Sequence, residues 1–261
     1  MTIYYLKALL IYFWKPFFLS AGLLVIAYIV DYISRTKRAQ YSITVSDGSL
    51  ESLKWLAAFV MVADHINKFV LSNRYSVIFD AGRVVMPIFV FVFAYNLTRL
   101  NHIPNKIYWR LFAFGVAACV PLFLMQPVNN WFPLNIMFTL LAGAFIIMCI
   151  NSAGAYYFLA VVIFCIVGAL VEYWWPCLGL IIGVYYIVKK KSLLAATLTA
   201  ISLYYLQRVN GNHWALASIP VILLVCSFKF ELKRIRWFFY AFYPVHLLCV
   251  YGLLFFYRVA T

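Results

Sequence analysis

The chain has 261 residues, of which 67% are hydrophobic and only 11% charged, with a net charge of +14. Soluble domains carry roughly a quarter charged residues, so the composition excludes one and points to a polytopic protein with membrane lipid around it. The basic excess lies in short loops between apolar runs, which argues for membrane topology and against a nucleic-acid partner.

Ten apolar runs follow in order, at 12–31, 52–71, 82–100, 107–125, 133–150, 155–172, 175–188, 192–207, 214–228 and 237–258. Several are shorter than the ~20 residues a bilayer asks for, which implies tilted or incomplete helices. The first is read as a retained span, since no small-residue cleavage site follows it. The hydrophilic stretch "DYISRTKRAQYSITVSDGSLE" separates this helix from the rest. The expectation is an all-α membrane protein: residues 1–51 form an N-terminal helix and linker, and residues 52–261 form a nine-helix core. With that linker placed in the cytoplasm, 14 of the 21 Lys and Arg residues collect on the cytoplasmic side, which puts both termini outside. The six cysteines fall in or beside apolar runs without a CxxC pair, so neither a metal site nor a disulfide framework is expected.

The second run, "LKWLAAFVMVADHINKFV", carries Lys54, Asp64 and His65. Ionisable groups at membrane depth are costly and mark functional sites. Lys54 and His65 are eleven residues apart, which is three turns plus ~20°, so they share a helix face about 16 Å apart along the axis. Asp64 is turned ~100° away from His65 and cannot face it. It needs a cation from another helix, and Arg83 at the start of the third run is the best candidate. A structural imidazole bonded to a carbonyl is the plain alternative for His65, and an end-of-helix snorkelling lysine that for Lys54.

The third run ends with Asn96 and Arg99, and a basic cluster continues through Lys106 and Arg110 with Tyr108 and Trp109 interleaved. Topological bias accounts for such a cluster, and so does recognition of phosphates on a nucleotide-bearing cofactor. The last run, "FFYAFYPVHLLCVYGLLFF", places His246 near the membrane midplane, two residues after Pro244, where a kink is expected. Glu172 is read only as an anchor of an outer turn.

The segments "LKWLAAFVMVADHIN", "AGRVVMPIFVFVFAYNLTR" and "FYAFYPVHLLCVYGLL" resemble the signature segments of the TraX family, conjugative-plasmid proteins that N-acetylate F-type pilin. More distantly, the layout is similar to membrane acyltransferases of the acyltransferase-3 type. Those carry a basic residue, ten intervening residues and a histidine on an early core helix, a spacing that Lys54 and His65 match. Their glycine-aromatic motif is only loosely echoed between Gly82 and Phe93, and no hydrolase-like domain is attached.

The resemblance implies acetyl-CoA as donor and a pilin amine as acceptor. Lys54, Asn96, Arg99, Lys106 and Arg110 would then receive the donor's anionic head, and His65 would be the general base. Asp64 or Arg83 would orient the site or steady the oxyanion, and His246 would carry a second proton or polarise the thioester carbonyl. A transient acetyl-histidine, an envelope sugar or lipid-linked acceptor, a proton-coupled transporter and a pilus-assembly scaffold are the competing readings.

Overall fold

A computed structural model describes residues 20–33, 44–125, 133–235 and 237–260. The described residues form helices and turns, with a single isolated bridge between Leu134 and Val171. In chain order the helices are α1 (Ser20–Ile33), α2 (Asp47–Phe69), α3 (Ser76–Gly82), α4 (Val85–Thr98), α5 (Asn105–Met125) and α6 (Ile136–Ser152). They continue as α7 (Tyr156–Val167), α8 (Trp174–Lys190), α9 (Leu193–Tyr205), α10 (Gln207–Asn210), a 3₁₀ turn at Trp214–Ala217, α11 (Ser218–Ser227) and α12 (Phe238–Ala260).

Among the described residues three helical stretches, Ser76–Thr98, Asn105–Met125 and Phe238–Val259, are long and apolar enough to cross a membrane. Four shorter apolar helices accompany them, so among the described residues the expected runs do not all become full-length spans. Large apolar side chains such as Val77, Phe158 and Phe256 are more than 70% exposed on the outside of the bundle. Such a belt is what lipid-facing helices present.

Two of the expected boundaries are corrected. The run at 82–100 is a longer element that begins at Ser76 and breaks at Arg83–Val84, where the backbone tightens into Arg83 N–H to Asp80 and Val84 N–H to Ala81 contacts of 3.1 and 3.2 Å. Pro87 explains the break, because it has no amide to bond the Arg83 carbonyl. The second run begins at Asp47 rather than 52, since the Ser46 hydroxyl caps it by accepting the Ser49 amide at 3.0 Å. Much of the expected first span and linker lies outside the described residues. The visible part of α1 docks on the core through Asp31, which accepts the Leu193 and Leu194 amides at 2.8 and 3.1 Å and so caps α9.

Helix α4 organises the interior. Met86, Val90, Ala94 and Leu97 join one apolar cluster with α6 and α8, while Val85, Ile88, Val92 and Tyr95 join another with α2, α5 and α12. Each set follows the three-and-four spacing of one helix face, so α4 is buried on two sides and packs as a central post. Helix α8 lies close to α9 because Gly179 and Gly183 face Ser202 and Thr199; an added Cβ would fall 2.5 and 2.3 Å from their hydroxyl oxygens.

Candidate functional site

Helices α2, α4, α5, α6 and α12 surround a cavity of about 550 Å³, inside the ~300–1,000 Å³ range of small-molecule sites. Its middle is apolar, with Met61, Phe89, Val92, Leu140 and Phe242 in the wall. Lys54, Arg99, Lys106, Arg110 and Arg234 line one end, and Asp64, His65, Gly82, Glu172 and Tyr173 line the other. Lys54 and His65 sit eleven residues apart on α2, about 16 Å along its axis. The cavity therefore runs along the bundle rather than across it.

At the basic end the cations are held by neighbours. Lys54 pairs with the buried Glu51 at 2.5 Å and lies 4.3 Å from the centre of the Phe239 ring. Arg99 is ion-paired to Asp47 and donates to the Val45 carbonyl at 2.8 Å. The Arg99 hydrogen bond is the main reason that the Asp47 carboxyl is held below its ordinary value. Arg110 stacks 3.8 Å over Trp237, and Lys106 is exposed at the rim. Asn96 also lines the cavity, but its amide is spent on the Val92 carbonyl of its own helix at 2.8 Å. Ser49 Oγ donates to the Phe228 carbonyl at 2.7 Å, which ties the start of α2 to the segment leading to Arg234 and Trp237.

At the other end Asp64 and Arg83 meet, with Arg83 Nη2 donating to Asp64 Oδ2 at 2.7 Å. Arg83 Nε also donates to Phe79 O at 3.0 Å, and its guanidinium lies 4.2 Å from the Phe79 ring centre. Gly82 makes this possible: a Cβ there would fall 2.4 Å from Asp64 Cγ. Asp64 Oδ1 is buried and has no hydrogen-bond partner among the described residues.

His65 and His246 form a second contact between helices. His65 Nδ1 is 2.8 Å from His246 Nε2, the rings lie within 10° of parallel, and His246 Nδ1 is 3.0 Å from the Phe242 carbonyl. A carbonyl only accepts, so for two neutral rings the protons are assigned by elimination. His246 Nδ1–H donates to Phe242 O, His246 Nε2 accepts, and His65 Nδ1–H donates to it. His65 Nε2 is left with a lone pair and no partner among the described residues, on a side chain that lines the cavity. His246 itself is buried behind His65 and does not line the cavity.

The structure thus brings Lys54, Asp64, His65, Asn96, Arg99, Lys106 and Arg110 around one space, while His246 and Arg83 stand behind its wall against His65 and Asp64. Two charged residues of the cavity carry no decisive sequence signal for a site. Arg234 belongs to the basic loop residues that follow topology, yet it lines the basic end. Glu172 was placed in an outer turn, yet it lines the histidine end. The Leu134 and Glu172 backbones hold it there: Glu172 N–H donates to Leu134 O at 2.7 Å and Thr139 Oγ1 donates to Glu172 O at 3.0 Å. An acid next to "WW" was the available signal, and only the α6–α8 packing decides that it faces inward.

In comparison with known proteins, the family described as TraX protein matches residues 49–254. Protein TraX of Escherichia coli is 32% identical over 99 residues, covering 38% of this chain and 39% of that relative. The aligned region is therefore well under two thirds of the relative's length. No solved structure matches the chain. The family match takes in α2 through most of α12 and with them every residue of the cavity, and the chain belongs to the TraX family.

Proposed function

We propose that this protein is an integral-membrane acetyltransferase that moves the acetyl group of acetyl-CoA to the amino terminus of conjugative pilin. The observation that carries this reading is the polarity of the cavity, with five cations at one end and the lone pair of His65 Nε2 at the other. Acetyl-CoA is an anionic nucleotide joined to a thin neutral arm that ends in a thioester. Such a molecule fits a basic mouth, an apolar middle and a base at the far end. The excess of basic residues on one set of loops supports a cytoplasmic mouth in the bacterial inner membrane, with both termini on the outer side.

In this reading the phosphates meet Lys54, Arg99, Lys106, Arg110 and Arg234, and the arm passes Val92 and Met61. The acceptor amine attacks the thioester carbonyl while His65 Nε2 takes its proton. His246 holds the opposite edge of the ring and disperses the charge of the imidazolium through its own Nδ1–H to Phe242. The tetrahedral intermediate expels the CoA thiolate, which takes the proton back from His65 Nε2. An ammonium acceptor gives up one further proton, so the products are an amide, a thiol and H⁺. Arg83 does not line the cavity and acts through Asp64, which it holds at that end.

The test is acetyl transfer in detergent-purified protein, with labelled acetyl-CoA and mature pilin, read by intact mass. The wild type should add one acetyl group at the amino terminus. His65→Ala should insert and purify normally and lose transfer by about 10²–10⁴-fold. Pilin still acetylated at the wild-type rate by His65→Ala would sink the assignment.

A further inference from the structure

The acyl-transfer reading uses the cations and the histidines but leaves one group of the cavity without a task. Glu172 lines the same end as His65, and its carboxylate has no ion-pair partner among the described residues. The neighbouring acid, Asp64, is committed to Arg83. The Ile136 amide donates a hydrogen bond to the Glu172 carboxylate and Lys68 and Arg83 act on it through their charge, while Glu172 acts in turn on Tyr173, Tyr243 and Cys177. Arg83 is neutralised by Asp64, and Lys68 is exposed on α2 with its ammonium 5.1 Å from the Phe69 ring centre. A carboxylate in the wall of a largely apolar cavity without a cation in contact is costly, and a visiting cation relieves that cost.

We propose that Glu172 is the acceptor-binding residue, which holds the ammonium group of the incoming amine at the histidine end of the cavity and so selects amines over neutral acceptors.

The proposal rests on the acyl-transfer reading for its account of why an amine comes there. A primary amine arrives protonated and cannot attack. Glu172 binds it as R–NH₃⁺ and accepts its first proton, leaving R–NH₂ beside the carboxylic acid. The nitrogen lone pair then forms the C–N bond to the thioester carbonyl, His65 Nε2 takes the second proton, and the C–S pair leaves with sulfur. His65 returns its proton to the thiolate, and Glu172 releases its own to solvent with the product. A neutral hydroxyl acceptor offers no charge to Glu172 and gains nothing from it. Donor and acceptor are thereby recognised by opposite charges at opposite ends of one cavity.

The experiment compares a short peptide bearing a free α-amine with its des-amino analogue, by equilibrium binding to the purified full chain and by the KM of acetyl transfer. Wild type should bind the amine about 10–100-fold more tightly than the analogue, the usual worth of a hydrogen bond to a charged group. Glu172→Gln should lose that preference and raise the acceptor KM by a similar factor while the acetyl-CoA KM stays put. Glu172→Asp keeps the charge and should keep a weaker preference. A glutamine variant that still prefers the amine, or an aspartate variant as indifferent as glutamine, overturns the proposal. Should glutamine prevent folding, a wild type that does not distinguish the two peptides overturns it alone. The binding comparison needs no acetyl donor. An amine preference without any acetyl transfer would therefore defeat the acyltransferase reading and leave the Glu172 assignment standing.

Discussion

His65 Nδ1 and His246 Nε2 lie 2.8 Å apart across the α2–α12 interface, joining two residues 181 positions apart in the chain. The contact fixes which nitrogen of His65 is free, so the role of His246 is to position the base. Replacing His246 with Phe keeps an aromatic ring but removes the acceptor, which frees the His65 tautomer and ring angle. We expect kcat to fall about 10–100-fold, less than the ~10²–10⁴-fold carried by a general base itself. Gln at 246 still offers an acceptor oxygen and should recover most of the rate. Equal losses for Phe and Gln, with KM for both substrates unchanged, would show that acceptance from His65 Nδ1 is not what matters.

The ion pair at the far end of the cavity gives a stability prediction. Asp64 and Arg83 are joined at 2.7 Å with side chains only 11% and 14% exposed. Removing one partner strands the other charge, so Asp64→Asn or Arg83→Met should each cost about 3–5 kcal/mol. The double variant should cost clearly less than the sum, because nothing is then left uncompensated. Gly82→Ala presses a methyl into the Asp64 carboxylate and should cost about 1–3 kcal/mol by overpacking. Thermal melts in detergent read all four, and additive losses would mean that the pair is not an energetic unit.

The helical class, most helix positions and the Asp64–Arg83 link were legible from the chain because they depend on local spacing. Apolar runs mark helices, and the 100° rotation between adjacent residues already separates Asp64 from His65. The His65–His246 contact was not legible, since two imidazoles far apart in sequence meet only through the packing of α2 on α12. Glu172 was missed for a related reason. A carboxylate in a short turn is compatible with solvent or with a cavity, and the choice is made by the Leu134 carbonyl and the Thr139 hydroxyl, which clasp the Glu172 main chain. The basic cluster was legible as charge but not as geometry: Arg99 and Lys54 carry acidic partners, so the mouth is less positive than its Lys and Arg count. The break before α4 follows from Pro87, whose effect on the carbonyl four residues back is local but easily hidden inside an apolar run.

The Asp47–Arg99 pair at the basic mouth yields a pH dependence whose sign can be worked out. Arg99, chiefly through its hydrogen bond, holds the folded-state Asp47 carboxyl below its ordinary value of 3.8. A depressed carboxyl contributes stability that is fully present above the ordinary value and is lost as pH falls through the lower, folded value. Both partners are substantially exposed, so the contribution is that of a surface pair, under ~1 kcal/mol. Between pH 5 and 8 the pair therefore stays intact and cannot be the source of any change in donor binding over that range. Asp47→Asn mimics the acid state at neutral pH: it releases the guanidinium toward an incoming phosphate and removes one negative charge from the mouth. A Coulomb change of about 0.5–1 kcal/mol near water predicts a two- to fivefold lower KM for acetyl-CoA. The gain should shrink as salt rises, because exposed charges are screened. Donor KM measured at low and high salt checks this. A higher KM in Asp47→Asn would mean that Asp47 aims Arg99 at the donor instead of competing with it, since the same carboxylate cannot do both.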